Sequence, residues 1–135
     1  MPATPLNVPA VVVAALSAFV VGGLWYSPLL FAGAWQKVNG FSAADLASRN
    51  MALVFGVAFV LTLIMAFNLA MFLNQPTTTL AWGATAGFLA GFGWVALAFG
   101  VVGLFESRPF TYVAINGGYM VVAFVVMGAI IGGWR

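Results

Sequence analysis

Residues 51–73 read MALVFGVAFVLTLIMAFNLAMFL, twenty-three residues in a row with no charged side chain. At 1.5 Å per residue a helix of that length extends about 34 Å, and the hydrocarbon core of a bilayer is about 30 Å thick. Within that core every backbone N–H and C=O needs a partner from the protein itself, so a helix is the form such a run takes. The stretch is expected to cross a membrane.

Three more runs meet the same standard: Val8–Tyr26, Leu80–Leu104 and Phe110–Trp134. The expected fold is all-α, an integral membrane bundle of four transmembrane helices forming one domain over residues 1–135. Composition agrees. Hydrophobic residues make up 64% of the 135-residue chain and charged residues 4%, where a soluble chain carries about a quarter charged. Six charged side chains cannot make a water-facing shell for a chain this long, so its solvent is mostly lipid.

The first run is expected to be a retained helix, since Met1–Asn7 lacks the basic residues of a signal peptide. Asn7 is an expected N-cap, with Pro9 in the first turn. The connections differ. Asn74–Thr79 and Phe105–Pro109 are short turns containing proline. The loop from Ser27 to Asn50 is longer. Leu29, Leu30, Phe31 and Trp35 precede Lys37 there, as in a segment lying in the interface. Ser42 and Asp45 have capping-box spacing, which predicts a short helical run leading into the second span.

Orientation follows from the cations. The first and third loops hold Lys37, Arg49 and Arg108; the opposite side has Arg135. The positive-inside rule then puts both termini outside the cytoplasm. Trp25, Tyr26, Trp35, Phe105 and Tyr112 fall at one expected interface, and Trp82 and Trp134 at the other, as anchoring belts do. Trp94 falls near mid-membrane.

Small residues recur at every fourth position: Gly83, Gly87 and Gly91; Ala10, Ala14, Ala18 and Gly22; Ala58, Thr62, Ala66 and Ala70; Gly128 and Gly132. Such stripes let helices approach closely. Packing within one chain is the favoured reading, and a seam between copies is the alternative. Trp94, three residues past Gly91, is read on the same face, either as a core tryptophan bonded to a neighbouring helix or as the end of a groove for a lipid tail or partner helix. Ser17, Thr62, Trp94 and Tyr119 lie at similar depth. They read as interhelical glue or as the wall of a polar path. Asn116 and Tyr119 share a helix face continued by Ala123 and Met127.

The turn Glu106-Ser107-Arg108-Pro109 is the best candidate polar site, since ionisable groups at a membrane edge can bind or gate ions. Its alternative is an ordinary interfacial loop. Glu106 is free to meet Lys37 or Arg49 instead of Arg108. Catalysis is not expected. The chain has no His and no Cys, so the nucleophile–base pairs built on them are unavailable. No metal site or cofactor is expected, and the sparse positive charge excludes a nucleic-acid footprint.

The run Gly22-Gly23-Leu24-Trp25-Tyr26-Ser27-Pro28, followed by Phe31 and Trp35, resembles the first signature of the bacterial domain of unknown function 1761 family. Glu106-Ser107-Arg108-Pro109, then Ile115-Asn116-Gly117-Gly118-Tyr119, then Met127-Gly128 and Trp134, resembles its second. The resemblance covers nearly the whole chain. It implies a small membrane protein of a bacterial inner membrane, without an assigned activity or assigned site residues. Small multidrug transporters are similar in length but carry a glutamate in the first helix, where Val8–Tyr26 has no acid.

The expected function is that of a non-enzymatic packing or accessory subunit that self-associates or joins a larger membrane complex, with lipid as its other partner. The alternative is a small channel or transporter for an ion or amphiphile, working through Glu106, Arg108, Asn116 and Tyr119.

Overall fold

Asn7 opens the first helix. Its side chain accepts from the Ala10 N–H at 3.1 Å, and Pro9 sits in the first turn, where a missing N–H leaves no bond unmade. The computed structural model describes residues 5–135, so most of the Met1–Asn7 segment lies outside the described residues. The first span is α1 (Val8–Trp25). The long loop holds α2 (Ala32–Asn39) and α3 (Ala43–Ala47). The second span is α4 (Met51–Phe72). The third span consists of α5 (Leu80–Ala90), a π-helical turn (Gly91–Ala96) and α6 (Leu97–Phe105). The fourth is α7 (Phe110–Gly133). Each span ends within one residue of the limits read from sequence. All four are long and apolar enough to cross a membrane, and the chain is a multi-pass membrane protein.

Side-chain caps define most helix starts. Ser42 and Asp45 form the expected capping box: the Asp45 N–H donates to Ser42 Oγ at 3.0 Å, and the Ser42 N–H to Asp45 Oδ2 at 2.9 Å. Asn50 caps α4 and Thr79 caps α5 in the same way. The segment between the first two spans thus holds two short helices, and α3 precedes the second span as expected. Gly40 ends α2 in the left-handed conformation, with φ 70°. That conformation suits glycine and lets the chain turn between them.

The fourth span is the centre of the bundle. Of its most apolar 18-residue window, 39% is buried, against 11% for the second and the third. The spans lie in the order third, fourth, first, second, each packed mainly on its neighbour.

Glycine makes the tightest of these seams. A Cβ on Gly83 would overlap the Gly128 carbonyl oxygen, and one on Gly87 would overlap that of Phe124. A Cβ on Gly132 would stand 2.9 Å from Gly83 Cα. Only backbones without side chains come this close, and van der Waals contact then holds the pair. Gly83, Gly87, Gly91, Gly128 and Gly132 are all buried, as the within-chain reading expects. Ala14 and Ala18 on the first span and Ala66 and Ala70 on the second are buried in the common core.

Trp94 departs from expectation. It is 76% exposed, so it is not a core tryptophan and does not share the buried glycine face. The cause is the π-helical turn that begins at Gly91. An i→i+5 turn holds more residues than an α-turn, so each step rotates less. The third residue past Gly91 then falls short of the glycine face and points outward.

Candidate functional site

The two sequence signatures meet in space. The first lies at the end of α1 and in the loop after it; the second starts in the 106–109 turn and runs along α7, with residues 115–119 in its first half. Both reach the end of the bundle that carries the long loop and the 106–109 turn, the loop end. Trp25 Nε1 donates to the Ile115 carbonyl at 2.8 Å, and Tyr26 Oη to Asn116 Oδ1 at 2.7 Å. Asn116 Nδ2 donates in turn to the Tyr112 carbonyl at 3.1 Å. One turn deeper, Tyr119 Oη donates to the Ala18 carbonyl at 3.0 Å. In a membrane such bonds are worth about 1 kcal/mol each.

The glycines of the signatures make room for these rings. A Cβ on Gly22 would stand 3.2 Å from Tyr119 Cε1, and one on Gly118 would stand 2.9 Å from Trp25 Cζ2. Rings extend the junction outward. Tyr26 meets Tyr119 edge to face at 5.5 Å and Trp35 at 5.7 Å. Trp35 packs on Phe41 at 5.2 Å. The Arg49 guanidinium lies 4.6 Å above the Phe41 ring and 6.0 Å from that of Trp35. Trp25 and Tyr26 thus lock helices together, beyond the anchoring expected of them. Sequence position alone assigns both to a belt; the pairing that gives them their role spans ninety residues of chain.

The polar residues do not assemble into a path. Ser17 Oγ donates to the Ala14 carbonyl and Thr62 Oγ1 to the Ala58 carbonyl, each in its own helix. Tyr119 alone of that group bonds across helices, and Trp94 is elsewhere. Asn116 and Tyr119 do share a face with Ala123 and Met127, both buried, and that face is turned towards α1. Neither the groove between the second and third spans nor the smaller cavity beside Asn7, Asn74 and Trp134 is lined by Asn116 or Tyr119.

The 106–109 turn also resolves differently from the cross-loop pairing. Ser107 takes φ 56°, which folds the turn back, and Arg108 Nε stands 3.6 Å from Glu106 Oε1. The two residues pair with each other. Both are largely exposed, and such a pair contributes about 1 kcal/mol at most. The Arg108 guanidinium also lies 4.9 Å above the Tyr112 ring. Arg49 is engaged with Phe41 and Trp35.

Comparison with known proteins gives one match. A family model described as "Protein of unknown function (DUF1761)" matches residues 9–132. No curated protein and no solved structure matches the chain.

Proposed function

The chain belongs to the DUF1761 family of proteins of unknown function, and we propose that it serves as a non-enzymatic accessory subunit that self-associates within the membrane. The observation that carries this reading is the state of the second span. Residues 51–57, the third of α4 towards the loop end, are exposed on every face. One ring contact, from Phe19 to Phe55 at 6.3 Å, ties this stretch to the first span, and Phe19 meets Phe59 just beyond it at 5.7 Å.

Exposed apolar surface in a bilayer does not itself call for a partner, because lipid tails solvate it well. Ala52 and Gly56 add the reason. They stand one turn apart, and a Cβ on Gly56 would meet nothing within 4 Å. Glycine inside a helix costs about 1 kcal/mol relative to alanine. Gly83, Gly87, Gly91, Gly128 and Gly132 offset that cost by close packing within the chain. Gly56 has no such contact here, and a second helix laid against Ala52 and Gly56 supplies it.

A bacterial inner membrane with both termini outside fits this reading, since Lys37, Arg49 and Arg108 share the loop end. Native mass spectrometry from mild detergent tests it. The expected species is a dimer or higher oligomer, or a complex with another membrane protein, and Gly56→Leu reduces it. A strict monomer with no associated protein would overturn the proposal. Transport is the weaker reading, because the hydroxyl groups that would line a path are bonded to backbone carbonyls.

A further inference from the structure

The second and third spans are joined by the 74–79 turn at the end of the bundle opposite the long loop, the terminal end. Between them is a groove of about 530 Å³, open sideways. On α4 it is lined by Met65, Asn68 and Phe72, and on the third span by Leu89, Ala90 and Trp94. Its back wall includes Phe124 of the fourth span. We infer that this groove holds one acyl chain of a membrane phospholipid from the leaflet at the terminal end.

Depth is the first argument. On the third span the lining runs from Ala86 to Val95. Nine steps of 1.5 Å make about 14 Å, close to half of the roughly 30 Å core. A groove one leaflet deep matches an acyl chain, which also ends at the midplane. A transmembrane helix runs the full thickness and is about 10 Å wide; half of it would find no seat here. The lining is the second argument. It is almost wholly apolar, and Asn68, midway along the α4 lining, and Trp94 carry its only polar side-chain groups. Trp94 lies at the deep end, turned outward there by the π-helical turn. Such turns are frequently found at functional sites. The groove is on the half of the second span away from residues 51–57, so it stands apart from the proposed self-association.

The test uses the full-length protein, purified in mild detergent, depleted of lipid and titrated with dioleoylphosphatidylglycerol under native mass spectrometry. One lipid per chain is expected to persist at collision energies that strip the rest. Ala90→Phe, which fills the groove, and Trp94→Ala, which removes its deep wall, are each expected to cut retention about tenfold. Val101→Phe, on the exposed face beyond the groove, is expected to change nothing. Circular dichroism confirms that each variant is folded, and Trp94 is exposed enough for its removal to leave the bundle intact. Equal retention by the wild type and both groove variants would overturn the inference. So would a purely statistical spread of bound lipids. If the chain dimerises but retains no lipid, this inference fails alone.

Discussion

Single atoms decide the seam between the third and fourth spans. Gly83, Gly87 and Gly128 have carbonyl oxygens or α-carbons where any side chain would stand. Gly87→Val is therefore expected to cost about 3 kcal/mol, the upper range for overpacking, measured by reversible unfolding in micelles. Gly23→Ala, at a helical position with nothing within 4 Å, is expected to stabilise by up to about 1 kcal/mol. At the signature junction, Trp25→Phe removes the bond to the Ile115 carbonyl and keeps most of the ring. A loss of about 1 kcal/mol is expected from that one bond, and an unchanged midpoint would show that the indole N–H contributes nothing. Spacing alone made the glycine seam legible, because every fourth residue of an α-helix shares a face. The same rule misplaced Trp94. Nothing in Gly-Phe-Gly-Trp-Val-Ala announces a π-helical turn, and one such turn rotates the face that the rule assumes constant.

At the scale of elements, the caps were readable and the pairings were not. Asn7, Ser42 and Asp45 are local signals, decided within four residues. The Glu106–Arg108 pair depends on Ser107 adopting a left-handed backbone, which its side chain does not reveal. The α3 cap gives a prediction in pH. Asp45 is held below the usual carboxylate range, first by the Ser42 N–H and then by its hydroxyl, with Arg49 helping further. A carboxylate with a depressed pKa contributes stability above its unfolded value and loses it as pH falls through the folded value. The Ser42 and Asp45 amides are thus expected to stay protected from hydrogen exchange at neutral pH and to lose protection in acid. Asp45→Asn, whose side chain stays neutral, should show no such pH dependence. Protection that persists in acid in the unaltered protein would contradict the carboxylate's role.

At the scale of the whole molecule, four spans were plain from hydropathy, and their order was not. Composition says that each helix prefers lipid to water. It does not say which helix another prefers to lipid. That choice rests on glycine carbonyl approaches and on bonds such as Tyr26 to Asn116, made between residues ninety apart. The resulting row leaves the second span leaning on the first with its loop-end third bare. Hydrogen exchange is expected to be fastest among the spans in residues 51–57 of a monomer, and slowest in the fourth span near Ala123 and Met127. The absence of cysteine makes the proposed association directly measurable. Single cysteines placed at each position from 51 to 57 in native membranes, then oxidised, report which face meets another copy. Cross-linked dimers are expected to peak at Ala52→Cys and Gly56→Cys and to fall away between them. Uniformly low cross-linking, or a yield without helical periodicity, would contradict the proposed association.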